Sequence, residues 1–245
     1  QAHPSLAWAQ EHLDANSGKT EAWWILGTRG AEGWVYLGFQ HAPTQEEWCR
    51  IIDTQDIAAM EACFEKVPVQ AGDVLLVAGG VPHAIGPGVF MVEIQEPTDY
   101  VVRCEYTHGG LELDEGARTM GLGLEKVLDL FDFSAYPLAE VKERFGPKPV
   151  VLSEGAGGRE EVLLAAPQTD RLELRRIRAR GECALQTDGR FSVLIATAGA
   201  GRIVAGGREL PLQQWSRCFL PAALTDVAVA GSLELARCLP PQPAD

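Results

Sequence analysis

Three observations on this chain predict a mainly β fold of two units. Short runs rich in β-branched and aromatic residues recur along it, separated by Gly and Pro. Residues 146–158 are rich in Gly and Pro, which makes them the best boundary between two units, 1–145 and 146–245. Apolar residues with helical spacing occur only in short stretches of the first unit. We therefore expect two β sandwiches or barrels, the first with a small helical insertion and a linking helix.

The first unit begins with short alternating elements. Residues 5–15 predict a short helix or turn after an opening strand. The aromatic runs 21–27 and 34–39 are joined by turn-forming residues and predict a hairpin. A Thr-x-x-Glu capping box begins at Thr44, so two short helices are predicted over 44–66.

Strands return after this helical insertion. Four are predicted in the first unit, at 67–69, 74–78, 89–95 and 100–106, and they are followed by a helix at 122–133. Eight short strands are predicted in the second unit, at 161–166, 171–178, 182–187, 191–199, 201–205, 217–220, 225–229 and 232–239. Regular short strands of this kind are typical of a sandwich or barrel.

Charge limits the classes of partner. The 245 residues carry a formal net charge of −13, which would repel the phosphates of nucleic acid and of an anionic membrane. A few local cations could still hold one phosphorylated small molecule. We expect a monomer or weak homo-oligomer with no nucleic-acid or membrane partner.

The cysteines indicate a reducing compartment. None of the six forms a Cys-x-x-Cys pair, and their sparse spacing does not suit a disulfide framework. We therefore predict free thiols and a cytoplasmic location. No stretch has the roughly 18 to 20 apolar residues of a membrane span. Because Gln1 opens directly on a motif without an initiator Met, we expect further residues upstream.

Four side chains of the first unit form a candidate metal site. Gln1 and His3 are two residues apart and would face the same side of a strand, Glu21 begins the next strand, and His83 follows a Gly-Gly turn. Imidazole, carboxylate and amide oxygen suit zinc, and they also tolerate manganese, cobalt or iron. All five histidines lie at or before residue 108, so only the first unit can hold a His-based site.

The same residues lie in motifs that resemble a known family. Residues 72–83 read Gly-x5-Ala-x-Gly-x2-His, which resembles the second cupin motif with Ala78 in place of the usual proline. Gln-x-His-Pro, Gly-Lys-Thr-Glu, Pro-His-Ala-Ile-Gly and Glu-Ile-Gln-Glu-Pro-Thr-Asp, followed by Arg103, are together similar to the type I phosphomannose isomerases of the short bacterial form. The resemblance is dense over residues 1–133 and thin afterwards.

The resemblance implies a fold, a reaction and a ligand set. The fold would be two cupin-like β-barrel (jelly-roll) units, the first catalytic and the second degenerate and without metal. The reaction would be a zinc-dependent interconversion of mannose 6-phosphate and fructose 6-phosphate, with one Zn²⁺ per chain. Carried onto this chain, the zinc ligands would be Gln1, His3, Glu21 and His83, and the pocket residues would be Lys19, Glu93, Asp99 and Arg103.

The residue types suit the chemistry of this reaction. An aldose–ketose isomerase removes a proton beside a carbonyl and returns it to the neighbouring carbon through an enediol(ate), so it needs a base within hydrogen-bond reach. We expect Glu93 or Asp99 to be that acid/base, Arg103 to stabilise the enediolate, and Lys19 to assist on sugar or phosphate oxygens. The alternative is a structural ion pair between Arg103 and either acid.

Other functions stay open at this point. A metal-binding cupin that binds a sugar phosphate without turnover would need His3, Glu21 and His83 but neither Glu93 nor Arg103. An isomerase of another phosphorylated sugar would share every motif. A purely structural double cupin is disfavoured, because ligands buried without a metal would leave unsatisfied charge.

Overall fold

The computed structural model describes residues 1–30 and 32–242, which form two compact units, Gln1–Gly146 and Pro147–Asp245. The helices of the first unit are α1 (Leu6–Leu13), α2 (Gln45–Asp53), α3 (Ile57–Ala62), α4 (Glu115–Thr119), α5 (Leu124–Val127) and α6 (Leu138–Phe145). Its strands are β1 (Glu21–Thr28), β2 (Gly33–Leu37), β3 (Val67–Val69), β4 (Val74–Val77), β5 (His83–Ile85), β6 (Val89–Gln95), β7 (Thr107–His108) and β8 (Leu111–Glu112). Within the described residues, no helix is long and apolar enough to cross a membrane.

Two antiparallel three-stranded sheets form the centre of the first unit. Strand β1 lies between β4 and β6, and β2 lies between β3 and β5. Trp23 and Ile25 of β1 are fully buried, and they pack in one apolar cluster with Val35 and Leu37 of β2. Burial of these large side chains is the main force holding the sheets together.

The helical insertion matches the prediction and the hairpin does not. The capping box at Thr44 is present, and α2 and α3 are the two predicted short helices. The predicted hairpin of 21–27 with 34–39 is wrong, because β1 and β2 belong to different sheets. Strands β1 and β2 are thus close in sequence without being paired. Turn-forming residues between two strands do not by themselves determine which strands pair.

Two further predictions for the first unit need correction. Residues 100–106 form no strand, since only Val102 makes a bridge, to Ala2. The pairing stops there because Pro4 has no amide N–H to donate, and the Tyr100 carbonyl accepts from a histidine side chain. The predicted helix at 122–133 is reduced to α5 and one 3₁₀ turn at Leu128–Leu130. The predicted strands at 67–69, 74–78 and 89–95 are confirmed within one residue.

The second unit is one seven-stranded antiparallel sheet with fewer and longer strands than predicted. They are β9 (Val150–Gly155), β10 (Gly158–Leu164), β11 (Glu173–Ala184), β12 (Ser192–Ala205), β13 (Arg208–Gln213), β14 (Arg217–Leu220) and β15 (Val227–Leu239). The order is β13-β12-β15-β11-β10-β9, with β14 also paired to β12. Three pairs of predicted strands are each a single strand, and β9 and β13 were not predicted.

Glycines explain the merged strands. Gly181, Gly231 and Gly201 lie side by side across β11, β15 and β12. A Cβ on Gly201 would lie 2.3 Å from the Ala230 carbonyl oxygen, so the backbones approach too closely there for any side chain. Glycine in these strands marks a close approach rather than a turn. The mainly β prediction is nevertheless confirmed for the chain as a whole.

A buried ion network fills one region of the second unit. Glu160 is fully buried, and its Oε1 atom lies 3.1 Å from Nη1 of Arg237 and 3.3 Å from Nη1 of Arg175. Arg190 pairs with Glu173 at 2.6 Å and also contacts Asp188. Buried guanidinium and carboxylate groups are tolerated here because each has a partner of opposite charge.

The network should make the second unit sensitive to acid. Hydrogen bonding to Arg190 outweighs partial burial and lowers the pKa of Asp188 to about 2. The pKa of an unfolded Asp is about 3.9, so the carboxylate stabilises the fold above that pH and its contribution is lost as the pH falls towards 2. Urea unfolding of wild type and Asp188→Asn should differ at pH 7 and converge below pH 4. An equal difference at pH 7 and pH 2.5 would contradict this.

Candidate metal centre

Three buried side chains from separate parts of the first unit converge on one point. Nε2 of His3 lies 2.9 Å from Oε1 of Glu21, and Nε2 of His83 lies 3.8 Å from Oε2 of the same carboxylate. One ligand atom from each residue lies within 4.8 Å of the others, and none of the three side chains is more than 2% exposed. The spacing and burial are those of a candidate metal centre.

Backbone contacts bring the three segments together. The amide of His83 donates to the Gln1 carbonyl (2.9 Å), and the amide of Gly80 donates to the His3 carbonyl (2.7 Å). Gly79 and Gly18 pack against residues 4–5, where a Cβ on either glycine would lie under 3.0 Å from backbone atoms. Only glycine allows such an approach. Gly18 and Gly79 therefore bring the segments that carry Glu21 and His83 against the segment that carries His3.

Each histidine is held in one tautomer. Nδ1 of His3 lies 2.8 Å from the Tyr100 carbonyl, and Nδ1 of His83 lies 2.9 Å from the Val81 carbonyl. A carbonyl can only accept, so each Nδ1 donates its proton there, and the opposite ring atom, Nε2, faces Glu21. Nε2 of His3 is buried without a hydrogen bond. A cation between these acceptors would satisfy all of them, so the cluster fits a divalent metal ion.

Electrostatics favour the metal-binding protonation states. Burial opposes ionisation of Glu21, but the adjacent His3 ring, His83 and the Lys19 ammonium group outweigh it and lower the pKa of Glu21 to about 2. Burial, His3 and the N-terminal ammonium group lower the pKa of His83 to about 3. Ionised carboxylate and neutral imidazole are the forms that bind a metal.

Gln1 stands at the edge of this cluster. Its Nε2 atom lies 3.2 Å from Nε2 of His83, and the residue as a whole is exposed. The amide donates to the lone pair of His83 in this orientation. Rotating the amide by half a turn exchanges Nε2 for Oε1, which is the atom that could coordinate a metal.

Two of the four predicted pocket residues lie near the cluster. Nζ of Lys19 is 3.3 Å from Oε1 of Glu21. Glu93 is exposed, and it lies opposite Trp23 in the pairing of β1 with β6, on the same sheet face as Glu21. Partial desolvation and the negative charge of Glu21 raise the pKa of Glu93, while Lys19 acts in the opposite direction.

The other two predicted pocket residues follow β6 along the chain. Asp99 is exposed. Arg103 is half-buried, its Nη1 atom donates to the Ala117 carbonyl (2.6 Å), and its amide donates to the Arg118 carbonyl (2.8 Å). Within residues 1–30 and 32–242, neither side chain forms a hydrogen bond or ion pair with the metal cluster.

Comparisons with known proteins point in one direction. The chain is 27% identical over 236 residues to the mannose-6-phosphate isomerase of Streptococcus mutans, covering 96% of this chain and 68% of that protein. It is 25% identical over 237 residues to a probable mannose-6-phosphate isomerase of Bacillus subtilis, with the same coverage of both proteins. The chain is thus similar to mannose-6-phosphate isomerases along almost its whole length. The resemblance seen in the motifs is thereby confirmed, although no protein-family model matches the chain.

Solved phosphomannose isomerases share the fold. The crystal structure of the mannose 6-phosphate isomerase from Bacillus subtilis superposes with a TM-score of 0.74 at 20% identity, covering 97% of this chain and 69% of that one. A mutant of the phosphomannose isomerase from Salmonella typhimurium gives a TM-score of 0.72 at 15% identity, covering 99% and 76%. The predicted fold class is confirmed.

Two residues that the motifs did not single out support the isomerase-like site. Glu96 is buried just after β6, where it accepts from the Ser17 hydroxyl (2.8 Å) and the Thr20 amide (2.9 Å) and so holds the segment that carries Lys19. The indole Nε1–H of Trp23 donates to Oε2 of Glu21 (3.2 Å). Strand parity could have indicated Trp23, which is two residues from Glu21, but no sequence signal marks the contacts of Glu96.

A pocket borders the candidate metal centre. It has a volume of ≈ 210 Å³ and lies against Gln1 and His83. Aromatic side chains form much of its wall, namely Trp34, Tyr36, Trp48 and Phe64. A small molecule in this pocket would lie directly beside two of the predicted metal ligands.

Proposed function

We propose that this chain is a metal-dependent aldose–ketose isomerase that interconverts mannose 6-phosphate and fructose 6-phosphate. The observation that carries the proposal is the buried cluster of two imidazoles and one carboxylate, in which Nε2 of His3 has no hydrogen-bond partner within the described residues. A metal ion between these groups would satisfy it. The likeness to named mannose-6-phosphate isomerases along 96% of the chain supplies the substrate.

The proposed metal ligands are Gln1, His3, Glu21 and His83, with one ion per chain. Imidazole and carboxylate donors favour zinc over magnesium or calcium, and other transition metals suit the same donors. When bound, the ion supplies a Lewis acid that polarises the carbonyl and hydroxyl oxygens of the sugar. Holding both histidines through their Nδ1 protons keeps Nε2 ready for that ion.

Glu93 is our choice for the acid/base. It shares a sheet face with Glu21, is open to solvent, and has a raised pKa, which suits a carboxylate that takes up and releases a proton. In the proposed reaction it takes the proton from carbon 2 and delivers it to carbon 1, while the hydroxyl proton on oxygen 2 passes to oxygen 1. Asp99, which is exposed, is the second candidate.

The two cations have separate proposed roles. Lys19 lies beside Glu21, where its ammonium group can bind a sugar or phosphate oxygen at the edge of the cluster. Arg103 is held by the Ala117 carbonyl through one of its five N–H donors. The others can stabilise negative charge as the enediolate forms.

The remaining assignments concern the second unit and the setting of the protein. We assign catalysis to the first unit and no metal to the second, in which buried charges are paired with each other. All six cysteines are free thiols, as predicted, which supports a cytoplasmic location. A phosphorylated hexose as the ligand and a monomeric or weakly associated state complete the proposal.

Turnover of mannose 6-phosphate by the zinc-loaded protein is the deciding test. We expect fructose 6-phosphate to form, a chelator to abolish its formation, and added Zn²⁺ to restore it. Reloading with Mn²⁺, Co²⁺ or Fe²⁺ would rank the metals. A protein that holds one metal ion per chain and converts no mannose 6-phosphate would overturn the proposed reaction while leaving the ligand assignment intact.

A further inference from the structure

The indole ring of Trp23 touches two of the proposed metal ligands. Its Nε1–H donates to Oε2 of Glu21 (3.2 Å), and its ring meets the His83 ring edge to face with centroids 5.5 Å apart. We propose that Trp23 is a positioning residue, which orients the Glu21 carboxylate for the metal before the ion arrives. This inference rests on the proposed metal-dependent function.

The position of Trp23 follows from strand geometry. Residues 21 and 23 are two apart on β1, so both side chains point to the same face. Trp23 is fully buried and packs in the apolar cluster of the first unit, so its ring has no room to turn away. The indole N–H therefore stays beside the Glu21 carboxylate and donates a hydrogen bond to it.

The contact constrains both partners. A buried indole N–H without an acceptor is destabilising, so the ring needs the carboxylate. The carboxylate in turn has one oxygen held by the ring, while Oε1 stays near His3 and Lys19. Glu21 is therefore kept in one rotation relative to the two imidazoles.

Such outer contacts have a measurable effect on metal binding. Partners that hold a coordinating group typically change metal affinity by about 10- to 100-fold. Because Trp23 acts by fixing a ligand, its loss should weaken affinity without removing any ligand atom. A residue needed only for packing would lower stability and leave the affinity of the folded protein unchanged.

The test is metal affinity in Trp23→Phe, measured by chelator competition with Zn²⁺ and by the visible absorption of Co²⁺. Phenylalanine keeps an aromatic ring against His83 and removes the N–H donor. We expect the Kd for Zn²⁺ to rise about 10- to 100-fold and the Co²⁺ spectrum to change. Trp24→Phe is the matched control, since Trp24 is buried on the opposite face of the same strand, and its affinity should equal that of wild type.

The outcomes separate this inference from the proposed function. If wild type binds metal and Trp23→Phe binds it equally well with the same Co²⁺ spectrum, the positioning role is wrong and the metal centre stands. If wild type binds neither ion, the proposed function fails and the inference fails with it. Should Trp23→Phe not fold, the ¹⁵N indole resonances of wild type decide. One buried indole signal should move on Zn²⁺ addition, and no movement would overturn the role.

Discussion

Glu21→Ala is expected to lose metal and isomerase activity together. Glu21 is the one carboxylate in the cluster, and both Nε2 atoms face it. Zinc sites of four ligands bind with roughly 10–16 kcal/mol, so one ligand accounts for about 3 kcal/mol, or about 100-fold or more in Kd. Metal content by mass spectrometry after dialysis and turnover of mannose 6-phosphate would measure both losses. His83→Ala should behave in the same way.

Arg103→Ala is the control for that experiment. Arg103 makes no contact with the metal cluster within the described residues, so this variant should keep its metal. Removing a cation that stabilises transition-state charge typically costs about 10²–10³-fold in kcat. Full retention of metal by His83→Ala or Glu21→Ala would refute the ligand assignment. Metal loss in Arg103→Ala would show that the variant disturbs the fold instead.

Glu160→Ala is expected to destabilise the second unit severely. The carboxylate is fully buried and pairs with Arg237, which is itself 1% exposed, and with Arg175. Its removal leaves the buried Arg237 guanidinium without its carboxylate partner, while Arg175 keeps Glu173 and Asp188. Breaking a buried ion pair on one side typically costs about 3–5 kcal/mol, a large share of the stability of a domain this size. Urea unfolding followed by circular dichroism would report the loss.

An exposed ion pair in the same sheet supplies the control. Nε of Arg202 lies 3.1 Å from Oε1 of Glu209, and both side chains are about half exposed. Exposed pairs contribute about 0–1 kcal/mol, so Glu209→Ala should unfold close to wild type. If Glu160→Ala is as stable as Glu209→Ala, the expectation is wrong, and water or a rearrangement compensates the buried guanidinium charge.

Sequence patterns predicted the elements whose signals are local. The capping box at Thr44 gave the start of α2, and the β-branched run at Val89–Gln95 is a strand with those bounds. Residue types and motifs predict the Gln-x-His pair, Glu21 and His83 as ligands. The structure brings His3, Glu21 and His83 within coordination distance, while their binding of a metal stays a prediction.

Only the tertiary structure decided which segments meet. Residues 21–27 and 34–39 have the pattern of a hairpin but pair with four other strands, because pairing depends on partners distant in sequence. In the sequence, glycine at positions 181, 201 and 231 suggests turns. All three glycines lie within strands instead, because neighbouring backbones approach closely there. Tertiary contacts likewise decide which Nδ1 atoms are protonated, which groups Glu96 accepts from, and which group Trp23 donates to. Periodicity and capping act within a few residues and can be deduced from sequence, whereas close approach and hydrogen-bond partners exist only once the chain has folded.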